Sequence, residues 1–263
     1  MPFICRNDVS LYFETMVGPR QPLVFIHGWC CDRTFFSPQV DRFSQLGHQI
    51  VIPDLRGHGL SEKPHQPYSI QGFSDDVASL CQELKLSKPV LIGHSMGGIV
   101  AFDIASRYPD LPGAIIMLDS AVILPAEAKA HIPAFLQRLR RSDYAKTLQN
   151  FLSSAFFLPS DDGSRKEAII ELMVSAPHHV MTGAYQGLAD YDAIAVDRVK
   201  VPSLYVLANE LSRRCDIDRL KEIIPHLDVG QTVKSGHFLQ LEVPEQVNAM
   251  MERFLLSTIT KPS

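Results

Sequence analysis

The residues most suited to chemistry lie at positions 93–97, where the sequence is Gly-His-Ser-Met-Gly. An apolar run precedes this stretch and a helical pattern follows it. The spacing Gly-x-Ser-x-Gly between a strand and a helix is typical of a nucleophile elbow, a sharp turn that holds its serine in strained backbone geometry. Side chains in place of Gly93 and Gly97 would collide with such a turn. We therefore predict that Ser95 is a nucleophile, although so short a motif also arises by chance.

A base for Ser95 must come from elsewhere in the chain, because a serine hydroxyl is a weak nucleophile until its proton is removed. Among the ten histidines, His237 follows the last predicted strand in the sequence Ser-Gly-His. Loops at the carboxyl ends of parallel strands meet at one edge of the sheet, so Ser95 and His237 are expected to meet there. A structural loop contact is the weaker alternative for His237. The other histidines in polar or loop contexts are expected to be solvated, and they are His48, His65, His131, His178, His179 and His226.

Two acids are candidates for the partner of His237. Asp119 follows the predicted strand 114–118, and Glu210 follows the predicted strand 204–207. Either carboxylate would accept the histidine N–H and stabilise the imidazolium that forms during attack. Asp216 and Asp218 are more typical of helix N-terminal caps. The residues alone leave Asp119 and Glu210 as equal alternatives.

A tetrahedral oxyanion needs preorganised hydrogen-bond donors. The backbone N–H of Met96, at the start of the helix after Ser95, is one predicted donor. The backbone N–H of Trp29, in the loop that follows the strand at residues 23–26, is the second. The side chains of Trp29, His94 and Phe238 are predicted to bind the substrate. The ligand spacing of a metal site is absent, so no metal and no other cofactor is expected.

Composition excludes several classes of function. The 263 residues carry a formal net charge of -4 and no basic run, so we expect no nucleic acid partner. The five cysteines are scattered and odd in number, which favours a reduced, cytoplasmic protein. No secretory leader and no apolar run long enough for a bilayer are evident, so no membrane association is expected. The sequence does not indicate an oligomeric state.

The order of elements predicts an α/β architecture. Buried strands alternate with helices up to residue 119, which is typical of a parallel sheet with right-handed crossovers. Residues 120–199 read as helical, and the alternation resumes near residue 202. We predict an α/β core, residues 1–119 and 200–263, with a helical cap at 120–199. Apolar cap residues either line an apolar pocket or simply pack the cap helices together, and they are Phe135, Leu139, Phe151, Phe156, Phe157, Leu172 and Met173.

Four segments together resemble the α/β-hydrolase superfamily: residues 27–29, 54–61, 93–98 and 236–237. The resemblance implies a mostly parallel central sheet with helices on both faces and a helical cap insertion. It also implies that Ser95 is the nucleophile, His237 the base, and Trp29 and Met96 the oxyanion donors. Family members usually carry an aspartate shortly after the late strand, whereas residues 208–211 read Ala-Asn-Glu-Leu. This departure keeps Asp119 a candidate.

The leading hypothesis is a serine hydrolase that cleaves small carboxylic esters or lactones, with an apolar or aromatic substrate, through an acyl-enzyme on Ser95. Residues 27–30, 56–61 and 115–119 are also similar to the cofactor-free ring-cleaving dioxygenases of hydroxyquinolones, which use a His–Asp pair to deprotonate the substrate. Met96 and Cys31 stand where those enzymes carry further histidines, so this similarity is partial. A ligand-receptor-like member of the same fold is a second alternative.

Overall fold

The computed structural model describes residues 3–6, 8–195, 198–209 and 214–259. Within them a sheet of eight strands has the order β1-β2-β4-β3-β5-β6-β7-β8. Strands β1 and β2 are antiparallel to each other, β2 is antiparallel to β4, and the remaining pairs are parallel. The strands are β1 (Phe3–Arg6), β2 (Val9–Met16), β3 (Arg20–Ile26), β4 (His48–Pro53), β5 (Val90–His94), β6 (Ala114–Leu118), β7 (Ser203–Leu207) and β8 (Leu227–Gln231). The predicted α/β architecture is confirmed.

Helices connect the strands and cover the sheet. They are α1 (Ser37–Gln45), α2 (Ile70–Glu83), α3 (Met96–Arg107), α4 (Ala126–Leu139), α5 (Tyr144–Ala155), α6 (Gly163–Val174), α7 (His178–Asp190), α8 (Ile217–Ile223), α9 (Leu239–Glu242) and α10 (Pro244–Ile259). Short 3-10 helices lie at Arg33–Phe36 and Ala193–Ala195. Helices α4 to α7 follow β6 and precede β7, and we call them the helical insertion.

The central strands are buried on both faces, which explains their continuous apolar sequences. Every residue of β5 and of β6 is buried. Successive side chains of β3 alternate between two apolar clusters because the side-chain period of a strand is two. Leu23 and Phe25 pack with residues of α1 and α10 on one face, whereas Val24 and Ile26 pack with residues of α2 and α3 on the other. This sandwich fixes the carboxyl ends of β5 and β6 next to each other.

Local capping and breaks set the helix boundaries. Helix α2 begins at Ile70, because Ser69 caps it by accepting a hydrogen bond from Gly72 N. The insertion predicted to be helical consists of four separate helices, α4 to α7, and the last of them begins at His178.

Three histidines expected to be solvated are held by backbone carbonyls. His48 is buried at the start of β4, and its Nδ1 lies 2.9 Å from the carbonyl oxygen of Gln21. His178 and His179, in the first turn of α7, lie 2.7 Å from Leu139 O and 3.1 Å from Lys63 O through their Nε2 atoms. The reason is tertiary, since each ring donates to a carbonyl from a distant element.

Candidate active site

Ser95 occupies a sharp turn between β5 and α3. Its φ and ψ are 53° and −118°, a conformation that is rare for a residue with a side chain and that stores strain. The turn is held because Ser95 N donates to Leu118 O at 2.9 Å, at the end of the neighbouring strand. A Cβ on Gly93 would overlap the carbonyl of Gly97, and a Cβ on Gly97 would overlap the carbonyl of Ile26. The two flanking glycines are therefore required sterically.

Replacing Gly97 with alanine is expected to destabilise the protein by about 1–3 kcal/mol or more, because the new methyl group meets backbone that has no room to move. Urea unfolding followed by circular dichroism measures this change. Gly163→Ala is the matched control, since a Cβ at Gly163 meets nothing within 4 Å and the change is expected to be neutral or slightly stabilising. Equal stability of the two variants would contradict the steric account of the elbow.

His237 and Asp119 form a buried hydrogen-bonded pair. The distance from His237 Nδ1 to Asp119 Oδ2 is 2.6 Å. A ring nitrogen facing a carboxylate oxygen carries the proton, so Nδ1–H donates and Nε2 keeps its lone pair. Asp119 itself lies directly after β6 with φ 45°, and its Oδ1 accepts a hydrogen bond from Ala208 N at 3.2 Å. The pair thus presents a base whose unprotonated nitrogen is Nε2.

A third side chain completes this cluster. Arg214 Nε lies 3.0 Å from Asp119 Oδ2, the oxygen that also accepts the hydrogen bond from His237. Arg214 was missed at the sequence level, since nothing in its local sequence separates it from other arginines. It precedes α8, whose N-terminal cap is Asp216, as expected. Glu210, the other candidate acid, lies outside the described residues.

The backbone of His237 is fixed from two sides. Its N–H donates to Phe156 O at 2.8 Å, and its carbonyl accepts from His94 Nε2 at 2.8 Å. The rings of His94 and Phe156 lie 4.6 Å and 4.3 Å from the His237 ring. Burial, with the neighbouring His237 adding to the effect, holds the pKa of His94 well below its usual value. His94 is therefore neutral, and its Nδ1, which has no hydrogen-bond partner among the described residues, is an acceptor.

The backbone amides of Met96 and Trp29 are the predicted oxyanion donors. Met96 is the first residue of α3, where N–H groups lack helical partners. Among the turn and loop hydrogen bonds of the described residues, no carbonyl accepts from Met96 N or Trp29 N. The Trp29 indole is oriented separately, because its Nε1–H donates to Met181 O of α7 at 2.9 Å. Both residues line the same cavity as Ser95.

A cavity of about 470 Å³ lies between the carboxyl edge of the sheet and the helical insertion. Ser95, Asp119 and His237 all line it. Apolar side chains dominate the remaining surface, with Tyr185, His131, Arg138 and Arg214 among the polar ones. Burial raises the pKa of Tyr185 to about 12, so its phenol stays protonated. The cavity thus suits a small, largely apolar molecule.

The predicted pocket residues divide into two groups. Trp29, His94 and Phe238, expected to bind substrate, all line the cavity. Of the seven apolar insertion residues, four line it and three pack elsewhere. Those in the lining are Phe135, Phe151, Phe156 and Met173, and the others are Leu139, Phe157 and Leu172. Tyr185, His131 and Arg138 were missed, although the helical spacing of α4 places His131 and Arg138 on its cavity-facing side with Phe135.

A buried acid lies behind the histidine loop. Glu242 Oε2 accepts a hydrogen bond from Gly236 N, and its other oxygen has no partner among the described residues. Burial, with the neighbouring Asp161 adding to the effect, raises the pKa of Glu242 to about 7. A Cβ on Gly236 would lie 2.9 Å from Asp161 Oδ2, so this acid adjoins the same loop. Glu242 therefore changes its charge near neutral pH, in contact with Gly236, the residue before His237.

This shift predicts a pH-dependent stability. Neutral Glu242 contributes stability that is complete below pH 4.5, its ordinary pKa, and that is lost as pH rises through about 7. We expect Glu242→Gln to remove a loss on the order of 2 kcal/mol between pH 5 and pH 8. Thermal melts at a series of pH values measure it, with exposed Glu245→Gln as the control. Parallel pH profiles of the wild type and Glu242→Gln would contradict the assignment.

Comparison with known proteins identifies the family. Residues 23–250 match the model of the Alpha/beta hydrolase family. The chain belongs to this family. The AB hydrolase superfamily protein YisY of Bacillus subtilis is 28% identical over 95% of this chain and 96% of that protein. The 2-(acetamidomethylene)succinate hydrolase of Mesorhizobium japonicum is 34% identical over 40% of this chain and 38% of that protein.

Solved structures of α/β hydrolases share the fold. A thermophilic esterase from Thermogutta terrifontis superposes with a TM-score of 0.82 at 26% identity, over 95% of this chain and 94% of that chain. An enol-lactonase from Burkholderia xenovorans superposes with a TM-score of 0.83 at 20% identity, over 97% of this chain and all of that chain, which shows the fold alone. The predicted α/β-hydrolase fold is confirmed. None of the helices in the described part of the chain has the length and apolar character needed to cross a membrane.

Proposed function

We propose that the protein is a serine hydrolase that cleaves small carboxylic esters or lactones through an acyl-enzyme on Ser95. The observation that carries the proposal is the hydrogen bond from His237 Nδ1 to Asp119 Oδ2, 2.6 Å long. It leaves the lone pair of His237 Nε2 as the base, in the cavity that Ser95 also lines. A hydroxyl in a strained turn and a correctly protonated imidazole are the two parts that nucleophilic acyl transfer requires.

The reaction proceeds in two halves. Ser95 Oγ attacks the carbonyl carbon of the ester while His237 Nε2 takes the hydroxyl proton. The tetrahedral intermediate collapses, the C–O bond to the leaving alcohol breaks, and His237 returns the proton to that oxygen. Water then attacks the acyl-enzyme with His237 as base again, which releases the acid and restores Ser95. A lactone differs only in that its alcohol stays attached to the acyl chain.

Asp119 is the proposed acid of this triad. Its carboxylate orients the His237 ring and stabilises the imidazolium formed during each attack. Its position directly after β6 differs from the position after the late strand that is usual in the family. The described contacts support Asp119, because its carboxylate already bonds the ring nitrogen that a triad acid must hold.

Met96 N and Trp29 N are the proposed oxyanion donors. Each amide adjoins Ser95, one from the start of α3 and the other from the loop after β3, which packs against Ser95 through Gly28. The loss of one such donor typically costs about 2.7–4 kcal/mol of transition-state stabilisation. Backbone donors leave the side chains of both residues free to shape the pocket, together with His94 and Phe238.

The substrate class follows from the cavity. A largely apolar lining suits a small ester or lactone with an apolar or aromatic group. We propose that residues 120–199 act as a cap on the core formed by residues 1–119 and 200–263, and that α4 to α7 select the substrate. The names of family neighbours, which include an esterase and an enol-lactonase, support this class.

Hydrolysis of simple substrates tests the proposal. Purified protein is incubated with 4-nitrophenyl acetate, 4-nitrophenyl butyrate and a set of γ- and δ-lactones, and acid release is followed by pH-stat. We expect turnover of several of these compounds with one equivalent of acid per ester bond cleaved. No turnover of any ester or lactone by folded protein would contradict the proposal.

One specific observation favours a second candidate. The His237–Asp119 pair places the acid after β6, as in the cofactor-free hydroxyquinolone dioxygenases that the sequence partly resembles. In that reaction His237 would deprotonate a ring hydroxyl and Ser95 would only orient the substrate. Oxygen uptake with a 3-hydroxyquinolone, retained in Ser95→Ala and lost in His237→Ala, would establish this activity in place of the hydrolase.

A further inference from the structure

Arg214 shares the carboxylate oxygen that binds His237. Its Nε lies 3.0 Å from Asp119 Oδ2 in an ion pair, and His237 Nδ1 donates to the same oxygen at 2.6 Å. The side chains of Arg214 and Asp119 are 16% and 5% exposed, so water screens this contact only weakly. The backbone N–H of Ala208 donates to the other carboxylate oxygen at 3.2 Å. Three groups therefore contact the Asp119 carboxylate, and among them Arg214 carries a permanent positive charge.

Arg214 also contacts residues 155 and 156, the second of which lies against His237. Its guanidinium lies over the Phe156 ring, 4.6 Å from the centroid, and an Nη atom donates to Ala155 O. Phe156 in turn stacks on the His237 ring and accepts the hydrogen bond from His237 N. One side chain therefore connects the acid, the helical insertion and the ring of the base.

The positive charge of Arg214 changes the protonation equilibrium of His237 in the His237–Asp119 pair. In a simple His–Asp pair the carboxylate compensates the imidazolium fully. The Arg214 guanidinium adds a permanent positive charge beside Asp119, and a like charge so close to the ring disfavours the protonated form of His237. Among the described ionisable groups near His237, His94 is neutral, and the carboxyl groups of Glu242 and Asp161 lie beside Gly236 on the loop that carries His237.

We propose that Arg214 is a positioning residue that acts through Asp119: it holds the carboxylate against His237 and keeps His237 in its basic form at lower pH than the carboxylate alone would. This inference rests on the proposed function for its kinetic consequence, but its electrostatic part concerns the free protein. Arg214 thus extends hydrolysis to more acidic conditions.

The pH dependence of kcat/KM for 4-nitrophenyl butyrate tests the role. In Arg214→Met we expect the acidic limb of the profile to move up by about one pH unit, with a loss of less than about tenfold at the alkaline plateau. Arg214→Lys keeps the charge and is expected to return most of the shift. A merely structural role would lower the plateau and leave the limb unmoved, and that result would overturn the proposal.

Controls separate this outcome from others. Arg219→Met removes the same charge from the chain, but Arg219 pairs with Glu222 on exposed α8 and is expected to leave the profile unchanged. An equal shift in this control would overturn the proposal. Should Arg214→Met fail to fold, Arg214→Lys and Arg214→Gln carry the comparison, with thermal melts as the check on folding.

A measurement on the free protein distinguishes failure of this inference from failure of the proposed function. Nitrogen-15 NMR follows the titration of the His237 ring in wild type and in Arg214→Met, with His237→Gln to assign the signal. A higher titration midpoint in the variant supports the inference even if no ester is hydrolysed. Identical midpoints would overturn it even if hydrolysis is robust.

Discussion

Replacing Ser95 with alanine is expected to lower kcat for 4-nitrophenyl butyrate by about 10⁴- to 10⁶-fold, with little change in KM. The variant lacks the oxygen proposed to form the acyl-enzyme, so the remaining rate is expected to come only from binding and the proposed oxyanion donors. Steady-state kinetics on protein verified by circular dichroism and thermal melting measures the loss. The expected loss of kcat is large because the covalent path is removed entirely rather than weakened.

Ser120→Ala is the matched control for this change. Ser120 lies close to Gly98 of α3 and donates to Leu118 O at 3.2 Å, so its removal also deletes a buried hydroxyl beside the elbow. That loss costs about 0.5–1.5 kcal/mol of stability and is expected to change kcat by no more than a few-fold. Turnover within tenfold of wild type in Ser95→Ala would mean that Ser95 orients the substrate without attacking it.

Asp119→Asn is expected to reduce kcat by about 10³- to 10⁴-fold while the fold is retained. An amide in place of the carboxylate no longer fixes the proton on His237 Nδ1. The proton then resides on Nε2 in much of the population, where it blocks removal of the Ser95 proton. The neutral amide of the variant also stabilises the imidazolium less than the carboxylate does, so the effect appears in kcat rather than in KM. Kinetics with 4-nitrophenyl butyrate at the alkaline plateau measures it.

Glu210→Gln is the comparison that decides between the two acids considered from the sequence. With Asp119 as the acid, this variant is expected to keep kcat within a few-fold of wild type. The reverse pattern, a severe loss in Glu210→Gln and a mild one in Asp119→Asn, would assign the role to Glu210. Equal and mild losses in both would contradict either residue as the acid of a triad.

The elbow and the histidine loop were predictable because local rules govern them. A strand, two sterically required glycines and a helix start surround Ser95, and the strand that precedes it is apolar because it is buried on both faces. His237 follows the last strand, and parallel topology brings such loops to one edge. These features need only nearby residues and the alternation of elements.

The same rules could not distinguish Asp119 from Glu210, or Arg214 from the other arginines. Asp119 and Glu210 both follow strands, and only the tertiary structure shows that the carboxylate of Asp119 binds the His237 ring. Arg214 contacts Asp119 across 95 positions of the chain, and no periodic sequence pattern predicts such a contact. Tertiary packing alone determines it.

The helical insertion was the least predictable region. Its helices bury only part of their surface, and the buried residues of α4 are only Leu136 and Leu139. The hydrogen bond from His178 to Leu139 O, which ties the start of α7 to the end of α4, joins segments whose sequences give no sign of it. The same limit explains why the cavity-facing Tyr185 was missed.

The central claim is that Ser95 is the nucleophile, activated by His237. The most direct measurement is intact-protein mass spectrometry after incubation with an active-site serine phosphonate, followed by peptide mapping. We predict a single adduct on Ser95, formed rapidly in wild type, more than about a hundredfold slower in His237→Ala, and absent in Ser95→Ala. Folded wild-type protein that forms no adduct, or an adduct that persists in Ser95→Ala, would contradict the claim.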